Sequence, residues 1–291
     1  MCHGKWGTGR RYGWLSQELG VSISSAELHA ALTFTLECAQ SAGTFLANRP
    51  DSLRVDTKTS STDVVTHMDQ GAEDIIVRAV NSTFPHDGIL AEEGSVDDGK
   101  SGRRWVIDPL DGTVNYLYQL PFWAVSIALV DEVHNETLVG VVHAPALGFT
   151  YYASLGEGAW KMHQGKTTRL GVSTAESIGH SLIGTGFAYT VEARTQQARA
   201  LSRVLPQVRD IRRLGSCALD LCAVAEGTLD GYFESGVQPW DCAAGSLIAK
   251  EAGAHISGFA GHEPNTDMVI TSTPRIFSDL VALVTSAYDK E

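Results

Sequence analysis

The 291-residue sequence predicts an α/β protein made of an α+β N-terminal portion and an α/β C-terminal portion, and three observations carry that prediction. Two amphipathic helical stretches come first. Short apolar segments at close spacing follow, as the strands of an antiparallel or mixed sheet do, and beyond about Lys166 strand-like and helix-like segments alternate. With 43% hydrophobic and 19% charged residues the chain lies in the ordinary globular range, and its length suits one large domain or two fused smaller ones.

Residues 1–23, rich in Gly, Trp and Arg, show no hydrophobic period and are read as an N-terminal extension, either a disordered arm or an alternative start. The portion 24–165 begins with Ser24 and Glu27 in capping-box spacing, continues with apolar residues at helical intervals to Leu46, and stops at Pro50. A second helix is expected to start at Thr66, whose side chain can cap its first turn, with Asp69 and Glu73 on one face and Ile75, Ile76 and Val80 turned inward. Strands are expected at 88–92, 104–108, 123–131, 137–144 and 149–154, punctuated by Gly, Pro, Asp and Asn. In the portion 166–291, SLIGTGF, RDIRRL and GYFES read as strands. VEARTQQARALSRVL, SCALDLCAVAEG, WDCAAGSLIAKEAG and a terminal segment from about Pro274 read as helices. No linker longer than an ordinary loop separates the portions, so they are expected to share an interface.

Composition narrows the function. Acidic residues outnumber basic ones 34 to 22, giving a net charge of −12, and no long basic cluster offers a footprint for nucleic acid. No stretch approaches the roughly 18 apolar residues of a membrane span, and no apolar segment follows Arg10 and Arg11 as a secretion signal requires. Cys2, Cys38, Cys217, Cys222 and Cys242 contain no C-x-x-C pair, which argues against a disulfide framework or zinc site and fits a reducing cytoplasm.

The chemistry is concentrated in WVIDPLDGTVNY (105–116). An apolar strand delivers Asp108, Pro109 interrupts the ladder, and Asp111-Gly112 turns the chain before Thr113. Two carboxylates leaving one strand end cannot both be desolvated as bare anions without a cation beside them. Oxygen ligands with no nearby His or Cys favour magnesium or manganese over zinc, and the Leu110 carbonyl can add another hard oxygen. The amides of Gly112 and Thr113 could face an anion at a helix start. Taken alone, D-P-x-D-G is equally good surface-turn chemistry. Likewise Glu92 can be a solvated strand end, Asp69 a first-turn dipole partner and Asp241 a helix N-terminal carboxylate.

Read together, these residues resemble a known family. WVIDPLDGTVNY and QPWDCAAGSLIAKEAGA (238–254) closely resemble the two signature motifs of the inositol monophosphatase family, relatives of fructose-1,6-bisphosphatase. KTSSTDVVTHMDQGAE (58–73), LAEEG (90–94) and RRLGSCALDLCAVAEGTLDGYFE (212–234) resemble further blocks of that family in the same order, so the likeness runs from about residue 26 to the end. It implies a layered α/β/α/β/α sugar-phosphatase fold and a magnesium-dependent, lithium-sensitive phosphomonoesterase acting on myo-inositol 1-phosphate or a similar polyol phosphate, with this small ester and a second copy of the chain, as a homodimer, for partners.

By the same resemblance, Glu92, Asp108 and the Leu110 carbonyl hold one magnesium, and Asp108, Asp111 and Asp241 hold a second. A third ion can bind loosely near Glu92, and manganese can substitute. Thr113 orients the attacking water with Asp69 hydrogen-bonded behind it, while the Gly112 and Thr113 amides grip phosphate. Glu234 accepts hydrogen bonds from the polyol near Gly215, Ser216 and Cys217, with Asp111 and Asp241 also lining the substrate site. Lys58, Asp63 and Glu93 support the site. The alternatives are the same chemistry on fructose 1,6-bisphosphate, histidinol phosphate or adenosine 3',5'-bisphosphate, or a regulatory binding protein on this scaffold that touches the transcription machinery.

Overall fold

A computed structural model describes residues 23–57 and 64–289. The N-terminal residues 1–22, together with Lys58 and Asp63, lie outside the described residues.

Helix α1 (Ser25–Ala47) opens with the expected capping box: Glu27 N–H donates to Ser24 Oγ, and Ser24 N–H donates to Glu27 Oε2 at 2.9 Å. The short strands β1 (Val55–Thr57) and β2 (Val64–Thr66) pair antiparallel and lead into α2 (His67–Thr83), which begins after Thr66 as expected. There follow β3 (Gly88–Ala91), β4 (Val96–Asp97), β5 (Arg103–Asp111), the one-turn helix α3 (Thr113–Leu117), β6 (Ala124–Asp131), β7 (Glu136–Ala144), β8 (Phe149–Ser154), β9 (Ala159–His163) and β10 (Lys166–Arg169). These form an eight-stranded sheet in the order β10-β9-β8-β7-β6-β5-β3-β4, antiparallel except where β3 runs parallel to β5.

The second half supplies β11 (Leu182–Thr185), α4 (Val191–Val204), β12 (Asp210–Arg212), α5 (Cys217–Ala225), β13 (Gly231–Glu234), α6 (Pro239–Glu251), β14 (His255–Ser257), β15 (Val269–Ser272) and α7 (Phe277–Tyr288). Its five strands are ordered β12-β11-β13-β15-β14, with β11 parallel to both β12 and β13. Helices α1 and α2 cover one face of the large sheet, α5 and α6 lie between the two sheets, and α4 and α7 cover the outer face of the small sheet. The chain is therefore layered α/β/α/β/α, as expected.

Side-chain size along the central strands explains the spacing of these layers. Trp105, Ile107, Val125, Ile127 and Leu129 point toward α1 and α2, where large residues fill a deep core. The opposite face of the same strands carries Val106, Ala124, Ser126 and Ala128, which keeps it shallow. Helix α6 consequently lies close against β7: a Cβ on Gly140 would stand 2.8 Å from the Ala244 carbonyl oxygen and 3.0 Å from its Cα. Ser126 Oγ also donates to the Trp240 carbonyl at 3.3 Å, tying the first turn of α6 to β6. Strand-to-helix distance thus places the N-terminus of α6, and Asp241 with it, over the end of β5.

The structure extends several sequence expectations. The strand expected at 104–108 continues to Asp111, because pairing with β6 resumes at Asp111 opposite Ala124 after a register shift. Proline has no N–H to offer the ladder, so residues 109–110 bulge out instead of ending the strand. Strands β1, β2, β4, β9, β10, β14 and β15 escaped the hydrophobic pattern. In β10 all of Lys166–Arg169 are exposed, and an exposed edge strand needs no apolar period.

Replacing Gly140 by Ala is expected to destabilise the fold by about 1–3 kcal/mol through overpacking against α6. Urea denaturation of the purified variant measures this, and an unchanged midpoint would show that α6 can retreat freely.

Candidate active site

The bulge in β5 is the first device that builds the site. Residues three apart on a regular strand face opposite sides of a sheet, so Asp108 and Asp111 would diverge. The inserted turn at Pro109 and Leu110 brings both carboxylates to the same end of the strand, where Asp108 is 1% and Asp111 9% exposed. Gly112 then adopts φ +93°, a conformation that disfavours any side chain, and a Cβ there would stand 2.8 Å from the Phe122 carbonyl. Helix α3 starts at once with Thr113.

Four further elements converge on this turn. Strand β3 runs parallel to β5 and delivers Glu92, whose N–H donates to the Ile107 carbonyl at 3.1 Å. Helix α2 contributes Asp69, fully buried; its Oδ2 accepts from Thr66 N at 2.8 Å and Thr66 Oγ1 at 2.6 Å. The Thr113 hydroxyl lies 3.0 Å from Asp69 Oδ1 and 3.1 Å from the Leu110 carbonyl oxygen, so its single proton is directed at that pair of acceptors. From the second half, Ser216 Oγ and Ala218 N–H at the start of α5 donate to Asp111 Oδ2 at 2.6 and 2.7 Å. Asp241 belongs to the first turn of α6, where its Oδ2 accepts from Gln238 N–H at 2.6 Å.

Burial and neighbouring negative charge raise the proton affinity of Asp108, Asp111 and Asp241. Burial holds Asp108 well above the usual carboxylate range, with Glu92, Asp111 and Asp241 adding negative charge. Asp111 is pushed up to about 6, burial outweighing the donors on its Oδ2. Asp241 is likewise well raised, by removal from bulk water and then by Asp111 and Glu92. Among the described residues no three His, Cys, Asp or Glu side chains close into a preformed cage, since the oxygens are drawn toward backbone and hydroxyl donors. The donor set nevertheless fits a hard divalent cation. It is all oxygen and anionic, and no lysine or arginine among the described residues pairs with Asp108, Asp111 or Asp241.

Glu234 ends β13 on the other side of the cleft and is pushed up to about 7 by burial, against the opposing effects of the Tyr232 hydroxyl that donates to it and the Arg213 guanidinium. Gly215 and Ser216 form the turn into α5, and Cys217 is its first residue, buried, with its thiol held well above its ordinary value by desolvation. That environment is one for a small hydrophobe. Cys38, Cys217, Cys222 and Cys242 are all free thiols.

Three roles were not anticipated, although the sequence pattern sets Glu73 on one helix face with Asp69. Glu73 binds the loop after β3, accepting from Glu93 N–H at 2.8 Å and from Ser95 N–H and Oγ at 3.1 and 2.6 Å, so it positions the loop carrying Glu92 and Glu93. Asn115 clamps the two halves: its Nδ2 donates to the Phe122 carbonyl at 2.6 Å and the Leu214 carbonyl at 2.9 Å. Its place in DGTVNY was the only signal available. Arg213 lies against Gly215 and the Phe187 ring, with its charge reaching Glu234, and nothing in the sequence distinguished it from Arg212.

A five-layered α/β/α/β/α chain whose clustered carboxylates gather at the junction of its sheets is a protein of the sugar-phosphatase fold class. The family model of the inositol monophosphatase family matches residues 27–288, and the chain belongs to that family. It is 42% identical over 236 residues to the inositol-1-monophosphatase SuhB of Mycobacterium tuberculosis, covering 77% of this chain and 79% of that protein. To the Nus factor SuhB of Escherichia coli strain K12 it is 35% identical over 262 residues, covering 88% and 96%. The solved structure of a Thermotoga maritima IMPase superposes with a TM-score of 0.79 at 35% identity, covering 89% of this chain and 98% of that one. No helix among the described residues is long and apolar enough to cross a membrane.

Because burial raises these carboxyl groups, the folded protein binds more protons than the unfolded chain above about pH 4. Without divalent cation, stability is therefore expected to fall as pH rises from about 4 through the folded value of about 6 for Asp111. Saturating magnesium, at about 100 times its dissociation constant, should add about 2.7 kcal/mol where the carboxylates are ionised and much less at pH 5. Thermal melts at pH 5 and 7.5, with magnesium and with chelator, test this; equal magnesium shifts at both values would contradict it.

Proposed function

We propose that this protein is a magnesium-dependent phosphomonoesterase that hydrolyses myo-inositol 1-phosphate, or a similar polyol phosphate, to the alcohol and phosphate. The observation that carries the reading is the mutual crowding of Asp108, Asp111 and Asp241 with Glu92, beside a Thr113 hydroxyl bonded to buried Asp69. Glu92, Asp108 and the Leu110 carbonyl would hold one magnesium, and Asp108, Asp111 and Asp241 a second, with manganese able to replace either. Such ions supply a lowered pKa for bound water and cancel charge on the attacking and leaving oxygens.

The chain's own groups supply orientation. Thr113 Oγ1 directs its proton toward Asp69 Oδ1, which leaves an oxygen lone pair to accept from a water molecule. Asp69 is fixed by two donors from Thr66 and cannot swing away, so it holds the Thr113 hydroxyl in that orientation. The Gly112 and Thr113 amides are suited to bind phosphate oxygens, with Lys58, Asp63 and Glu93 in support. On the leaving-group side, Glu234 would accept from hydroxyls, next to Gly215, Ser216 and Cys217. Lithium sensitivity, a homodimer and a cytoplasmic setting accompany this reading through the family likeness.

The printed name of the Escherichia coli relative, a Nus factor, supports a second reading in which the scaffold serves a regulatory partner. The complete carboxylate set favours catalysis, since a binding role alone does not require buried charge that burial disfavours.

Asp111→Asn is expected to cut turnover at least ~100-fold while the fold persists, because the amide oxygen can still accept from Ser216 and Ala218. Wild-type-like turnover in this variant would refute the two-ion arrangement. Phosphate release should be measured from inositol 1-phosphate, fructose 1,6-bisphosphate, histidinol phosphate and adenosine 3',5'-bisphosphate, with magnesium and with chelator. Magnesium-dependent release led by the inositol ester is the expected result; release from none would favour the regulatory reading.

A further inference from the structure

Arg212 and Arg213 are adjacent, both exposed, and differently employed. Arg212 pairs with Asp210 at 2.6 Å on the surface of β12. Arg213 turns toward the cleft. Its guanidinium lies over the Phe187 ring, 5.9 Å from the centroid, and one of its nitrogens rests against Gly215 so closely that a Cβ there would collide with it. Its charge reaches Glu234 and Asp220 and opposes the burial that raises both carboxyl groups. Among the described residues no acceptor takes a hydrogen bond from this guanidinium and no carboxylate forms an ion pair with it. An exposed planar group with five N–H donors is thus held against Phe187 and Gly215 without an acceptor among those residues.

Glu234 faces it with the opposite capacity. Ionised, it can only accept, and the Tyr232 hydroxyl already occupies one of its oxygens. A Cβ on Gly186 would collide with the Glu234 carboxylate, so this carboxylate packs directly against the chain just after β11. A hydroxyl group between the two side chains can donate to Glu234 and accept from Arg213 at once. An aryl leaving group without hydroxyls can do neither.

We propose that Arg213 is a specificity-determining residue, the donor arm of a leaving-group pocket whose acceptor arm is Glu234, and that together they select phosphate esters of hydroxyl-rich alcohols. This rests on the phosphomonoesterase reading. It also separates arginine from lysine, since an ammonium keeps the charge but loses the fork and the stacking on Phe187.

The test compares wild type, Arg213→Ala and Arg213→Lys on inositol 1-phosphate and 4-nitrophenyl phosphate at saturating magnesium, with thermal melts to verify folding. In Arg213→Ala the ratio of kcat/KM for the inositol ester to that for the aryl ester should fall at least about tenfold, mainly through KM for the inositol ester. Lysine should recover part of the ratio. Turnover of both esters with an unchanged ratio in Arg213→Ala overturns the role of Arg213 alone. Turnover of neither ester by the wild type overturns the phosphomonoesterase reading, and this inference with it.

Discussion

The constraint on which the rest of the structure depends is negative charge gathered out of water at the junction of two sheets. Burial raises the proton affinity of Asp108, Asp111 and Asp241, and the negative charge of neighbouring carboxylates, Glu92 among them, raises it further. A fold does not improve its own stability by such an arrangement, because desolvating like charges together is costly. It persists because the surrounding structure over-determines it: a bulged strand, a positive-φ glycine and three helix starts each deliver one component.

The helix starts do two tasks with the same atoms. Asp69 and Asp241 each reach back to the N–H of the residue three before it, so both satisfy an orphan donor at a helix N-terminus. Ser216 caps α5 while its hydroxyl donates to Asp111. Local helix-stopping chemistry thereby orients the acids without a separate set of supports. Packing sets the remaining distances. The shallow, small-residue face of β6 and β7 admits α6 until it meets Gly140, and Asn115 ties the turn of the first half to the turn of the second.

The cleft is asymmetric in its charge chemistry. One wall is carboxylate, suited to cations, and the turn at Gly112 and Thr113 offers backbone amides. The other wall couples Glu234 to Tyr232 and sets Arg213 across from it. In the proposed reading, reaction chemistry and leaving-group choice would reside on different elements, with α3 and α5 between them. Ser216, which donates to Asp111, and Leu214, which accepts from Asn115, tie the two walls together.

Much of this was legible in the sequence because it is local. The capping box at Ser24, the cap at Thr66, the D-P-x-D-G turn and the hydrophobic periods of the central strands depend on neighbours a few residues away, and they mark helix starts, core strands and the acids that leave them. What escaped depends on partners far along the chain. Exposed edge strands such as β10 carry no apolar period, Glu73 meets its loop 20 residues on, and Asn115 reaches Leu214 across 99 residues. Arg212 and Arg213 are chemically identical neighbours in sequence. Only the tertiary structure, by placing Phe187, Gly215 and Glu234 around one of them, gives the pair different work, because hydrogen-bond capacity belongs to a residue but its use depends on what the fold brings within reach.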